Sequence, residues 1–138
     1  MENYIHVRPE HLNHHGYLFG GVLLMWVDES AWMTASLDYP SCTMVTAAMD
    51  NIVFKHRVEN GAILRFLIKP TKRGTKSIEY GVTVFSDAPG ETEEKIVFTT
   101  NVTFVRIDKD GNAIELPECG SLRSESASGS SCYKAKQS

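Results

Sequence analysis

Apolar and polar residues change rhythm along this chain. From Gly20 or Gly21 to about residue 37, apolar positions follow one another with few breaks and no proline. This predicts a helix that is hydrophobic nearly all round and enclosed by other structure. Asp38, Tyr39, Pro40 and Ser41 stop it. Beyond Pro40 the rhythm becomes strand-like. Residues 43–56 read as one long strand with room for a bend, and 62–69 as a second. Residues 76–85 form a third, in which Ile78, Tyr80, Val82 and Val84 alternate with polar or small residues; 95–107 form a fourth, with Ile96, Phe98, Thr100, Val102 and Phe104 on one face. Gly61, Arg73-Gly74 and residues 87–90 mark the turns. Ahead of the helix, residues 1–12 predict a short strand or arm and 13–19 a turn. No helical crossover separates the strands, so an antiparallel meander is expected: an α+β domain over residues 1–117, with one long helix against the sheet. Residues 118–138 are rich in serine without an apolar period and read as a flexible tail.

Composition narrows the options. The chain has 138 residues, 42% of them hydrophobic, enough for one domain with a real core. A net charge of −3 gives no reason to expect a nucleic-acid partner. The charge is unevenly spread. Between Lys55 and Lys76 seven of the fourteen basic residues face one acid, Glu59, a local net of +6 that leaves −9 elsewhere. Such a patch suits a compact polyanion, although solvated strand faces have the same look. The three cysteines lack C-x-x-C spacing, which fits a reducing compartment, and the five histidines match no zinc signature. No metal or cofactor is expected. The first residues lack a signal-peptide pattern, and the apolar run over 17–27 is too short to span a bilayer. A cytoplasmic protein without membrane insertion is the expectation.

The chemistry concentrates between Asn13 and Ala35. On a helix, Asp28 has Leu24, Met25, Ala31 and Trp32 three and four positions away, none able to pair with a charge. A carboxylate there either finds another partner or has catalytic work. Glu29 and Ser30 are adjacent rivals. Gly20 and Gly21 permit a tight turn, and they also place bare amides at a helix N-terminus, where a developing oxyanion is favoured. Asn13 suits a turn or an oriented water, and His14 and His15 are loop histidines beside it.

Asn13, Gly16, Phe19, Gly20 and Gly21, followed by Asp28, form an N-x-x-G-x-x-F-G-G…D pattern. Val45-Thr46, then Asp50-Asn51-Ile52-Val53-Phe54, Arg73-Gly74-Thr75-Lys76-Ser77 and Asp108-Lys109-Asp110-Gly111 follow in order. Over residues 5–117 this resembles the hotdog-fold acyl-CoA thioesterases, nearest the YciA-like and acyl-CoA hydrolase branch. The resemblance implies a sheet wrapped around the central helix and hydrolysis of acyl-CoA. It selects Asp28 over its rivals as general base or nucleophile, with Gly20 and Gly21 polarising the thioester carbonyl. It implies that Asn13 meets Asp28 across a subunit interface, in a homodimer or a higher homo-oligomer, a tetramer or hexamer. An edge strand and an open face on a small sheet point the same way. Coenzyme A carries a diphosphate and a 3′-phosphate, for which Arg73, Gly74, Thr75, Lys76 and Ser77 are the candidate contacts, with Lys55 and Arg57 as weaker ones. The chain departs from the family pattern at Arg57, where proline is usual, at Gly61-Ala62, and at His14-His15. Two rival readings are a hotdog 3-hydroxyacyl-thioester dehydratase and a non-catalytic acyl-CoA sensor.

Overall fold

A single helix organises the fold. The computed structural model describes residues 1–118, and the predicted tail from 119 onward lies outside the described residues. Strand β1 is Glu2–His6, a 3-10 turn covers Pro9–His11, and helix α1 is Gly20–Asp38. Strands β2 (Thr43–Phe54), β3 (Ile63–Arg73), β4 (Ser77–Asp87) and β5 (Lys95–Ile107) follow. Helix α1 buries Leu23, Trp26, Val27, Ser30, Ala31, Thr34, Ala35 and Asp38, one stripe at helical spacing. Ala31 and Ala35 are fully buried, and their small side chains let the helix sit close to the sheet. The stripe meets Phe66, Ile68, Tyr80, Val82, Phe98, Val102 and Phe104, which share the core with it.

The five strands form one antiparallel sheet in the order β1-β3-β4-β5-β2. The expected meander holds only for β3, β4 and β5. The connection after β2 crosses the sheet, so β2 pairs with β5 and β1 takes the far edge beside β3. Strand periodicity determines which face is buried and says little about which strand is the neighbour. The predicted second strand is longer than its apolar run, because Lys72 and Arg73 continue pairing with Glu79 and Ile78 past an irregularity at Pro70. Strand β2 bends as expected: its register shifts twice, and Asn51 takes a left-handed φ of 55°.

Strand β2 is a twelve-residue open edge with Val45, Ile52, Val53 and Phe54 exposed. Helix α1 is likewise not enclosed on all sides: Met25 is 58% and Trp32 45% exposed. Among the described residues, no helix is long and apolar enough to cross a membrane.

Candidate active site

The turn before α1 is built around Asn13. Its Oδ1 accepts from the His15 N–H at 2.8 Å and the Tyr17 N–H at 3.2 Å, while Gly16 takes φ 86°, where an L side chain is strained. With the oxygen committed inward, Nδ2 has no hydrogen-bond acceptor among the described residues. The helix then starts without a side-chain cap. The Phe19 carbonyl accepts from Val22 and Leu23, which leaves the Gly20 and Gly21 N–H groups without a backbone acceptor among the described residues. A Cβ at Gly20 would lie 3.5 Å from the Phe54 ring, an ordinary contact, so packing does not demand glycine there.

A groove of about 710 Å³ opens at this end of the helix. It brings together four of the residues nominated by sequence, Asn13, Gly20, Lys55 and Arg57, with His15, Tyr17, Phe54 and His56. Asn13 also lines a smaller hollow of about 340 Å³ with His14, Phe19 and Val22.

Asp28 is not in the groove. It lies two helical turns further on, about 12 Å along the axis. It is half-buried on the helix face that carries Met25 and Trp32. Its partner comes from β2: the Thr46 hydroxyl donates to Asp28 Oδ1 at 2.7 Å. The helical neighbours have no such group, as the sequence indicated. Trp32 Nε1 donates to the Met44 carbonyl at 3.0 Å and fixes the same strand to the helix. Thr46 was not among the nominated site residues. The Val45-Thr46 pair was its only signal, and helix periodicity carries no information about a strand eighteen positions away.

The hairpin from Arg73 to Ser77 lies at the opposite end. Arg73 sits 5.7 Å from the Tyr39 ring, just past the helix C-terminus, and donates to the Pro117 carbonyl. The Gly74 N–H closes the hairpin on the Ser77 carbonyl, and the Thr75 carbonyl accepts from Leu116. The nineteen-residue helix spans about 28 Å, so within one protomer this hairpin and the Asn13 turn are roughly that far apart. Between them Tyr80 donates to Asp38 Oδ2 at 2.8 Å in the core. Burial and then the Asp38 charge push the Tyr80 phenol far above its ordinary range. Burial also raises the Tyr39 phenol, with the Arg73 guanidinium pulling the other way.

The family described as Thioesterase superfamily matches residues 15–93. Acyl-coenzyme A thioesterase 11 of Mus musculus is 34% identical over 72% of this chain and 16% of its own length. The first curated relatives are all longer: the chain spans 16%, 64% and 30% of their lengths. Two solved structures fit over most of the chain. An acyl-CoA hydrolase from Staphylococcus aureus, solved with butyryl coenzyme A, coenzyme A and coenzyme A disulfide, has a TM-score of 0.77 and 29% identity, covering 85% of this chain and 71% of that one. A hexameric hotdog fold thioesterase of Campylobacter jejuni has a TM-score of 0.75 and 30% identity, covering 83% and 88%.

Proposed function

Because the chain belongs to the thioesterase superfamily and folds as a hotdog, we propose that it hydrolyses acyl-CoA thioesters to the free carboxylic acid and coenzyme A. The observation that carries this reading is the pairing of open donors with a separately held carboxylate. The Gly20 and Gly21 N–H groups and Asn13 Nδ2 are open donors at the start of the helix, an end that favours a carbonyl oxygen gaining negative charge. Asp28, oriented by Thr46, removes a proton from water as it attacks the carbonyl carbon, or attacks that carbon itself to give an anhydride that water opens. In both routes the C–S bond breaks and coenzyme A leaves as a thiolate that takes up a proton.

Two halves of the site lie about 12 Å apart along one helix. The reading therefore takes Asn13, Gly20 and Gly21 from one copy and Asp28 from another, in a homodimer or larger homo-oligomer. The open edge of β2 and the exposed Met25 and Trp32 support this assembly. So does a spacing. The solved variants of the S. aureus hydrolase change an asparagine, an aspartate fifteen positions on and a threonine seventeen beyond that, each to alanine. Asn13 and Asp28 are also fifteen apart, and Thr46 lies eighteen beyond Asp28. Lys55 and the hairpin Arg73, Gly74, Thr75, Lys76 and Ser77 are the proposed contacts for the coenzyme phosphates, the hairpin reaching the ligand from another copy.

Thiol release from acyl-CoAs of increasing chain length tests the proposal. Asp28→Asn is expected to lower kcat by about a hundredfold or more while acyl-CoA still binds. Tight binding with no thiol from any substrate would replace hydrolysis with a sensor, and an enoyl product without thiol would replace it with a dehydratase.

A further inference from the structure

Charge in the groove follows a pattern that thioester hydrolysis alone does not require. His15, Lys55, His56 and Arg57 stand along it, Leu18, Leu23, Phe54 and Val58 supply its apolar surface, and none of its lining residues is acidic. Neither Lys55 nor Arg57 is ion-paired among the described residues. Arg57 is also held in place. Its guanidinium lies over the Tyr17 ring, 4.7 Å from the centroid, and the Tyr17 N–H donates to Asn13 Oδ1. Stacking on an aromatic face restricts a guanidinium while leaving its in-plane donors open to a carboxylate or phosphate. A pre-oriented cation is thus fastened to the turn that carries Asn13.

Resting on the hydrolase reading above, we infer that the preferred acyl groups carry a carboxylate of their own, received by Arg57 as a specificity-determining residue. Placement favours the acyl end over the coenzyme. The pantetheine arm separates the sulfur from the diphosphate by many bonds, whereas Arg57 is one residue contact from the Asn13 turn. A thioester carbonyl held by Gly20 and Asn13 leaves a short methylene chain to lie on Leu18, Leu23, Phe54 and Val58, with its terminal carboxylate toward Arg57. His56 stands beside Arg57 on the same segment, and none of the groove's lining residues is acidic. A neutral fatty acyl chain fits the apolar surface and leaves Arg57 without a counter-charge.

The test uses matched substrates that share the coenzyme and chain length and differ only in the terminal carboxylate: butyryl-CoA against succinyl-CoA, and hexanoyl-CoA against adipyl-CoA. For at least one pair the wild-type kcat/KM is expected to favour the carboxylated member by about tenfold, the worth of one charge-assisted contact. Arg57→Gln brings that ratio close to one. Arg57→Lys keeps the charge, loses the planar fork and falls between. An equal loss on both members in Arg57→Gln places a coenzyme phosphate on this residue and overturns the inference, as does a wild-type preference for the neutral members of both pairs or for neither member. Thiol release from the neutral substrates alone leaves the hydrolase reading intact and removes only the carboxylate subsite. No thiol from any of the four overturns the hydrolase reading, and this inference with it.

Discussion

Thr46 and Asn13 illustrate how much of a site single residues disclose. Asp28 stood out because a carboxylate within an apolar helix needs a partner or a role, and spacing excluded its neighbours three and four positions away as partners. Only the family resemblance set it above Glu29 and Ser30. Its partner, Thr46, comes from another element, and no local pattern predicts that contact. Asn13 takes the turn role the sequence allowed, through its oxygen, and its nitrogen has no acceptor among the described residues. A third residue, Tyr80, was read only as one of an alternating apolar set. It is a buried hydroxyl donating to Asp38. Tyr80→Phe removes that donor from a buried carboxylate and is expected to destabilise the fold by about 1–3 kcal/mol, measured by urea denaturation. The alkaline limb gives a second readout. In the folded protein the Tyr80 phenol is raised above its ordinary value of about 10, so stability is full below that pH and falls as the unfolded chain ionises above it. The Tyr80→Phe variant loses less stability per pH unit there, and an unchanged slope contradicts the assignment.

At the scale of elements, the helix and four of the five strands announced themselves through period and turn residues. Helix α1 ends at Asp38, one residue beyond the expected stop, because the Pro40 that follows cannot continue it. Strand β1 was expected only as a strand or arm, since five residues carry too little periodicity; its pairing with β3 decides the matter. The start of α1 carries the catalytic proposal, and packing and chemistry separate there. Gly20→Ala places a Cβ at ordinary distance from Phe54, without a left-handed φ to violate. Stability should stay level or rise by up to about 1 kcal/mol, because alanine is the better helix former. Thioester turnover should nonetheless fall about tenfold, since the methyl group crowds the approach to the amide. Equal thermal midpoints with equal turnover mean that Gly20 serves only the turn.

For the molecule as a whole, the sheet order was the least legible feature. Lack of a helix between strands suggested neighbours in sequence would be neighbours in space, yet β2 crosses to β5 and becomes an edge. Tertiary contacts choose that order, and the sequence of each strand only makes it admissible. The resulting edge, with its exposed apolar residues, predicts association. Val53→Glu and Met25→Lys are expected to shift the protein toward monomer in sedimentation, with loss of turnover in step with loss of assembly. A fully active monomer contradicts the shared site. The separation of Asp28 from Gly20 along one helix has a further consequence. Under the proposed shared site, two variants that are each inert, one lacking the Asp28 carboxylate and the other the Asn13 amide, are expected to regain a complete set of groups wherever the two chains meet. In a cell carrying both copies the two defects are then expected to complement each other, and co-expression that restores thiol release checks it.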